Sequence, residues 1–265
     1  MDPARQLPDR AVLALNGDDR VTFLQDLVSS DVRNLDKAPA YAALLPPQGK
    51  YLFDFFVVGD GERILLDVAA ETAPQLAQRL NMYRLRAKVA VEATDLRVAQ
   101  GLGAAPNGGF ADPRHEALGW RFVAEDLDAV LDGRPVLAAE AWDGLRVAHG
   151  IPETGLELVA NDTLILEVGF DRLHGVDFNK GCYVGQEVTA RMRHKTELRK
   201  GLALVDLSEP EAPGTQIMAE GKAAGTLHTV SGTRGLAHLR FDRAKGEMTA
   251  GAATLRRLDA PWSPI

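Results

Sequence analysis

A chain of 265 residues exceeds the usual single-domain size, so two or three packed units are expected, and 46% hydrophobic with 25% charged residues suits a globular protein with a sizeable core. A net charge of −7 argues against broad nucleic-acid binding, and the longest apolar runs, such as Leu52–Val58, are too short to span a bilayer, so neither nucleic acid nor membrane is an expected partner. The one cysteine rules out an internal disulfide, and the six histidines show no metal-ligand spacing. A complete metal centre within one chain is therefore not expected, and a reducing cytoplasm fits best.

In chain order, MDPARQLPDR lacks a basic segment followed by an apolar one, so no secretory signal is expected. Ala11–Leu15 predicts a strand. Asp18 or Asp19 can cap a helix whose Val21, Leu24, Leu27 and Val28 share one face. Tyr41–Leu45 resumes strand character before PPQG, and Tyr51–Val58 and Arg63–Ala69 flank the hairpin signal GDGE. A helix over Pro74–Arg86 and a strand over Lys88–Ala93 follow, completing a split βαβ, ferredoxin-like pattern. GLGAAPNGG, residues 101–109, reads as a long loop. Beyond it Trp120–Ala124 predicts a strand, and Asp126–Leu131 and Glu140–His149 predict helices. From Gly201 onward short apolar runs (LALVDL, TQIMAE, GTLHTV, LAHLRF, ATLRRL) alternate with turn residues, the rhythm of a small antiparallel barrel.

Four places carry residue types suited to chemistry. The only cysteine, Cys182, stands in NKGCYVGQEVTAR between Gly181 and Gly185, two permissive backbone positions. Lys180 and a helix start near Val184 would favour its thiolate, while a buried structural cysteine is the bland reading. In NDTLILEVGFDRLHGVD, Asn161 or Asp162 can cap a short helix over Thr163–Gly169, with Glu167 sharing a face with Leu164 and Val168. Such a carboxylate is either solvated or held by a donor pair, as a pterin ring offers. The run RMRHKTELRK, with Arg191, Arg193, Lys195, Arg199 and Lys200, is either a solvated face or an attractor of an anion such as a polyglutamate tail, a phosphate or an acidic protein. Asp54 falls by alternation with Leu52 and Phe56, away from Phe53 and Phe55, which places it on an exposed strand face. No G-x-G-x-x-G or Walker-type loop supports a nucleotide cofactor.

KGCYVGQEVTAR resembles the signature of the YgfZ family, T-protein-like folate-binding proteins with a mitochondrial iron-sulfur assembly branch. The extension GQEVTAR followed by RHK is most similar to that branch. GDDRVTFLQDLVSSDV, YAALLPPQGKYLFDFFVV, ANDTLILEVGFDRLHGVD and EGKAAGTLHTVS extend the resemblance over nearly the whole chain, weakest between about 98 and 140. It implies an α+β, T-protein-like fold, in which two ferredoxin-like α+β units (1–97 and 98–198) and a C-terminal antiparallel β-barrel (199–265) surround a folate-sized cavity. It also implies that Glu167 grips the pterin of tetrahydrofolate or a derivative, with Tyr183, Gln186, Glu187 and Arg191 contributing to cofactor binding. Cys182, with Lys180, would carry the iron-sulfur role, as one ligand to a transient cluster shared with an assembly or client protein, as a nucleophile or as a redox relay. T-protein has a paired Asp-Asp where this chain has Phe53-Asp54. That departure disfavours glycine cleavage and leaves two alternatives to a folate-binding assembly or repair factor: folate-dependent one-carbon transfer with Asp54 as a polar catalyst, and an interaction scaffold with a vestigial pocket.

Overall fold

The structure, a computed structural model, describes residues 1–194, 198–260 and 262. The chain divides into two compact units, Met1–Leu137 with Leu173–Gln186, and Ala138–Arg172 with Glu187–Ile265. The segment 98–198 contributes to both.

The first unit opens with β1 (Ala4–Gln6), β2 (Arg10–Asn16), α1 (Arg20–Gln25), β3 (Ala40–Leu44), β4 (Phe53–Asp60) and β5 (Arg63–Ala69). It continues through α2 (Ala73–Arg84), β6 (Ala90–Ala93), β7 (Arg97–Gly101), β8 (Phe110–Ala111), β9 (Trp120–Ala124) and α3 (Asp128–Leu131). The larger antiparallel sheet runs β3-β4-β5-β2-β6. Its path β2-α1-β4-β5-α2-β6 is the expected split βαβ arrangement, with β3 added at one edge. A second sheet runs β1-β7-β9-β8.

Alternation along β4 and β5 is sharp. Phe53, Phe55 and Val57, with Ile64, Leu66 and Val68, face one core shared with Phe23 and Leu24 of α1 and Leu76 and Leu80 of α2. The opposite face is buried too. There Asp54, Phe56 and Asp67 meet Tyr41, Arg10, Arg114 and Arg121. Asp67 accepts from Arg10 Nε at 2.6 Å and from Arg121 Nη2 at 2.6 Å. Burial pushes its carboxyl up, but the two guanidinium groups outweigh that and hold it below the ordinary range. Asp54 is therefore 5% exposed, not on a solvated face as alternation alone suggested. A period-two pattern separates two faces but does not say whether a second layer covers one of them.

Asp19 stands at the α1 N-cap position without a side-chain cap, because its carboxylate accepts from the Lys88 backbone N–H at 2.8 Å instead. The helix ends at Gln25, one turn short of the expected face, and Leu27 and Val28 are buried beyond it.

The second unit holds α4 (Ala139–His149), most of α5 (Gln186–Arg193), and β10 (Lys200–Leu207), β11 (Gln216–Ala219), β12 (Lys222–Ser231), β13 (Arg234–Arg240), β14 (Met248–Ala250) and β15 (Ala253–Arg257). The strands close a barrel in the order β10-β13-β12-β11-β14-β15, around Val205, Ile217, Leu227, Leu239 and Leu255. The sequence rhythm gave five of these strands and missed the three-residue β14. A fully buried arginine ties α4 to the barrel: Arg146 donates to Thr229 Oγ1 at 2.8 Å and to Glu157 Oε2 at 3.1 Å.

Candidate functional site

Glu167 lies in a 3-10 turn over Ile165–Val168, shorter than the expected helix. The residue at the N-cap position is Leu164, and Asn161 instead takes a left-handed turn at φ 63°. Ile165, Leu166 and Val168 are buried around Glu167, and Gly169 at φ 79° ends the turn. The Glu167 carboxylate is 6% exposed, and its Oε2 accepts no hydrogen bond. Lys200 Nζ stands 3.3 Å and His238 Nε2 3.5 Å from it, both without hydrogen-bond geometry. An orphaned carboxylate oxygen at this depth is costly, and a ligand carrying N–H donors would remove the cost.

Glu167 lines a pocket of about 910 Å³ within the second unit. Leu164, Val188, Met192 and Leu198 supply its apolar wall, and Arg191, Arg199, Lys200 and Arg240 supply cationic groups. Their convergence follows from barrel register. Lys200 of β10 stands opposite Arg240 of β13, and two residues on, Leu202 stands opposite His238. The pocket thus offers one buried acceptor, an apolar surface and a basic rim, which suits a flat heterocycle with donor groups and an anionic tail. The expected basic run supplies Arg191, Arg199 and Lys200, while its Lys195 lies outside the described residues. His238 and Arg240 had no sequence signal, since only strand pairing brings them here.

The signature segment belongs to the first unit through Gln186. Gly181 and Gly185 both adopt positive φ, 99° and 83°, as the turn reading required. Gly185 is further constrained, because a Cβ there would stand 2.6 Å from the Pro46 carbonyl oxygen. Cys182 is exposed and free. Lys180, by contrast, is 6% exposed and donates from Nζ to the carbonyls of Gln25 and Val28, the latter at 2.8 Å. Gln25 returns the contact from Nε2 to the Lys180 carbonyl at 3.3 Å. Burial lowers the Lys180 ammonium to about 8 against the pull of Asp31, Asp26 and Asp177. These donors serve the end of α1, where a cation is favourable, rather than the sulfur.

Tyr183 is buried, and its N–H donates to Gln186 Oε1 at 3.2 Å, so these two expected ligand contacts pair with each other. Glu187 is exposed in the first turn of α5. Asp54 accepts from Tyr41 Oη at 2.9 Å and from Tyr51 Oη at 2.8 Å. The structure thus brings Glu167 and Arg191 into one pocket. Among the described residues no group of three or more His, Cys, Asp or Glu side chains could hold a metal ion.

Comparison with known proteins places these features. Residues 199–265 match the family model of the CAF17 C-terminal β-barrel domain. The fold is that of the glycine cleavage system aminomethyltransferase T from Bartonella henselae, with a TM-score of 0.81 at 15% identity over 98% of this chain and 86% of that one. Among curated proteins the chain is 36% identical over 226 residues to the mitochondrial iron-sulfur cluster assembly factor IBA57 homologue of Mycosarcoma maydis, and covers 74% of itself but only 55% of that protein. It is 31% identical over 283 residues to the mitochondrial IBA57 proteins of Mus musculus and Homo sapiens, covering 92% of this chain and 79% of each. The cytoplasmic expectation is overturned by these relatives, which are mitochondrial and point to that compartment. A lone cysteine excludes an internal disulfide and says nothing about which compartment holds the chain. With this identity and coverage, the chain belongs to the IBA57 family of iron-sulfur cluster assembly factors.

Proposed function

We propose that the protein is a tetrahydrofolate-binding factor that supports assembly or repair of iron-sulfur proteins. The observation that carries the folate half is the orphaned, buried Oε2 of Glu167 in a pocket with an apolar wall and a basic rim. A pterin edge presents two parallel N–H donors that a carboxylate accepts bidentately, and the glutamyl end would meet Arg191, Arg199 or Arg240. The iron-sulfur half is supported by the family, whose curated members are named assembly factors. The exposed Cys182 sulfur would serve as one ligand to a cluster handed to or from a partner, the cluster being cargo rather than a resident cofactor.

The alternative, one-carbon transfer with Asp54 as polar catalyst, draws less support. That carboxylate accepts from the buried Tyr41 and Tyr51 hydroxyls, which fix it in place and suit a structural role. Calorimetric titration of tetrahydrofolate into wild type and Glu167→Gln tests the pocket. Loss of one partner of a charge-assisted pair commonly costs about 1.5–3 kcal/mol, so affinity should fall roughly ten- to a hundredfold with the fold intact. Equal affinity in the two proteins would sink the assignment.

A further inference from the structure

Although the chain is acidic overall, its residues from Thr72 to Val91 include Arg79, Arg84, Arg86 and Lys88 and no carboxylate. This stretch is α2 and the turn after it. The helix buries Ala73, Leu76 and Leu80, which is the i, i+3, i+7 pattern of a core-facing stripe. Its outer end departs from the usual polar surface. Met82 is 64% exposed and Leu85 is 90% exposed. Helical spacing puts Met82 on the same face as Arg79, three residues back, while Leu85 and Arg86 follow just beyond the helix end.

Leu85 closes the helix at φ 43° and ψ −99°, a positive-φ backbone that residues with a Cβ rarely adopt. A strained leucine whose side chain meets solvent gains nothing inside the fold to offset that strain. Three of the four cations are equally uncommitted, while Lys88 pairs with Asp18. Among the described residues Arg79, Arg84 and Arg86 make no ion pair. Arg84 reaches only the Val89 carbonyl at 3.3 Å, and Lys88 stands 3.9 Å from the exposed Asp18.

We propose that this tip docks on an anionic lipid surface, with Leu85 and Met82 entering the interface and Arg79, Arg84, Arg86 and Lys88 meeting lipid phosphates. Charge complementarity selects an anionic partner, and shape selects lipid over protein. A stable protein contact needs an apolar core within a patch of about 800 Å² per partner. Two protruding side chains ringed by cations provide no such core, but a headgroup region accepts them singly. No described helix is long and apolar enough to cross a membrane, and the contact proposed is with the headgroup region. The acidic remainder of the chain opposes it, so attraction is local and falls with salt over a screening length of about 8 Å.

Cosedimentation of the full chain with vesicles of phosphatidylcholine, with and without phosphatidylserine, tests this. We expect pelleting only with phosphatidylserine, weakening as salt rises. The double variant Arg84→Gln/Arg86→Gln should partition about tenfold or more less well. Leu85→Gly removes the knob while relieving the φ strain, so it should melt no lower than wild type yet bind vesicles more weakly. No pelleting at low salt overturns the proposal and leaves an acidic protein as the occupant. Equal binding to uncharged vesicles, or wild-type binding by both variants, overturns it as well.

Discussion

The Lys180 ammonium donates to the Val28 carbonyl oxygen at 2.8 Å and also to the Gln25 carbonyl, so the signature lysine closes the C-terminal end of α1. Around this contact the residues just before the signature are stitched to the same stretch: Ser29 Oγ donates to the Gly175 carbonyl, and Ser30 Oγ donates to that of His174 at 3.0 Å. Lys180→Met should lower stability by about 1–3 kcal/mol, since it leaves carbonyls without their donor. The pH dependence has a definite sign. The amine loses its proton near pH 8 in the folded chain and near the ordinary 10.5 when unfolded. Between those values the unfolded chain binds more protons, so this group's contribution to stability rises with pH across the window. Chemical denaturation of wild type and Lys180→Met from pH 7 to 10.5 should show that rise in wild type only. A parallel pair of curves would mean that the ammonium is not buried as described.

Asp54 yields a second test, which separates a structural carboxylate from a catalytic one. Asp54→Ala removes the acceptor of two buried tyrosine hydroxyls and should cost roughly 1–3 kcal/mol. Tetrahydrofolate affinity should stay close to that of wild type, because Glu167 and the basic rim are untouched. A variant with unchanged melting temperature and lost folate binding would move Asp54 into the ligand site.

Much of this architecture was legible because local signals agreed with the fold. The GDGE hairpin, the helix expected over Pro74–Arg86 and the barrel rhythm each matched the observed elements, and Gly181 and Gly185 took the positive φ values that only glycine adopts freely. What escaped depended on pairing between distant segments. The burial of Asp54 comes from Tyr41 and Tyr51 and from a second layer over its sheet, which a period-two pattern does not encode. His238 and Arg240 join Glu167 through β10–β13 register alone. Arg146, on the helix read as Glu140–His149, is fully buried because Glu157 and Thr229 arrive from elsewhere in the chain. Lys180 was read as a neighbour of the thiol in sequence, while in space its charge is directed at α1.

The basic rim gives a third prediction. If Arg191, Arg199, Lys200 and Arg240 receive the glutamyl end of folate, polyglutamylated tetrahydrofolate should bind more tightly than the monoglutamate at low salt. The advantage should shrink as ionic strength rises and should be reduced in Arg191→Gln and Arg240→Gln. Equal affinity for the two ligands at every salt concentration would leave the rim a solvated face, with the Glu167 assignment standing or falling on its own titration.

Cys182 carries the last prediction. Its sulfur is exposed, and the shape of its turn is set by Gly181, Gly185, the Lys180 clamp and the Tyr183–Gln186 pair rather than by any contact of the thiol. Replacing sulfur by oxygen should therefore leave the fold alone, since the change is nearly isosteric and solvent-facing. Cys182→Ser should melt within about 0.5 kcal/mol of wild type and keep its folate affinity. It should nevertheless fail to restore iron-sulfur enzyme activity in cells lacking the protein, because a serine hydroxyl does not replace thiolate as a ligand to iron or zinc-like soft metals. Rapid alkylation of the native protein, abolished in the variant, would confirm that the sulfur is reachable. Full rescue by Cys182→Ser would show that the signature serves the backbone turn and that sulfur chemistry lies elsewhere.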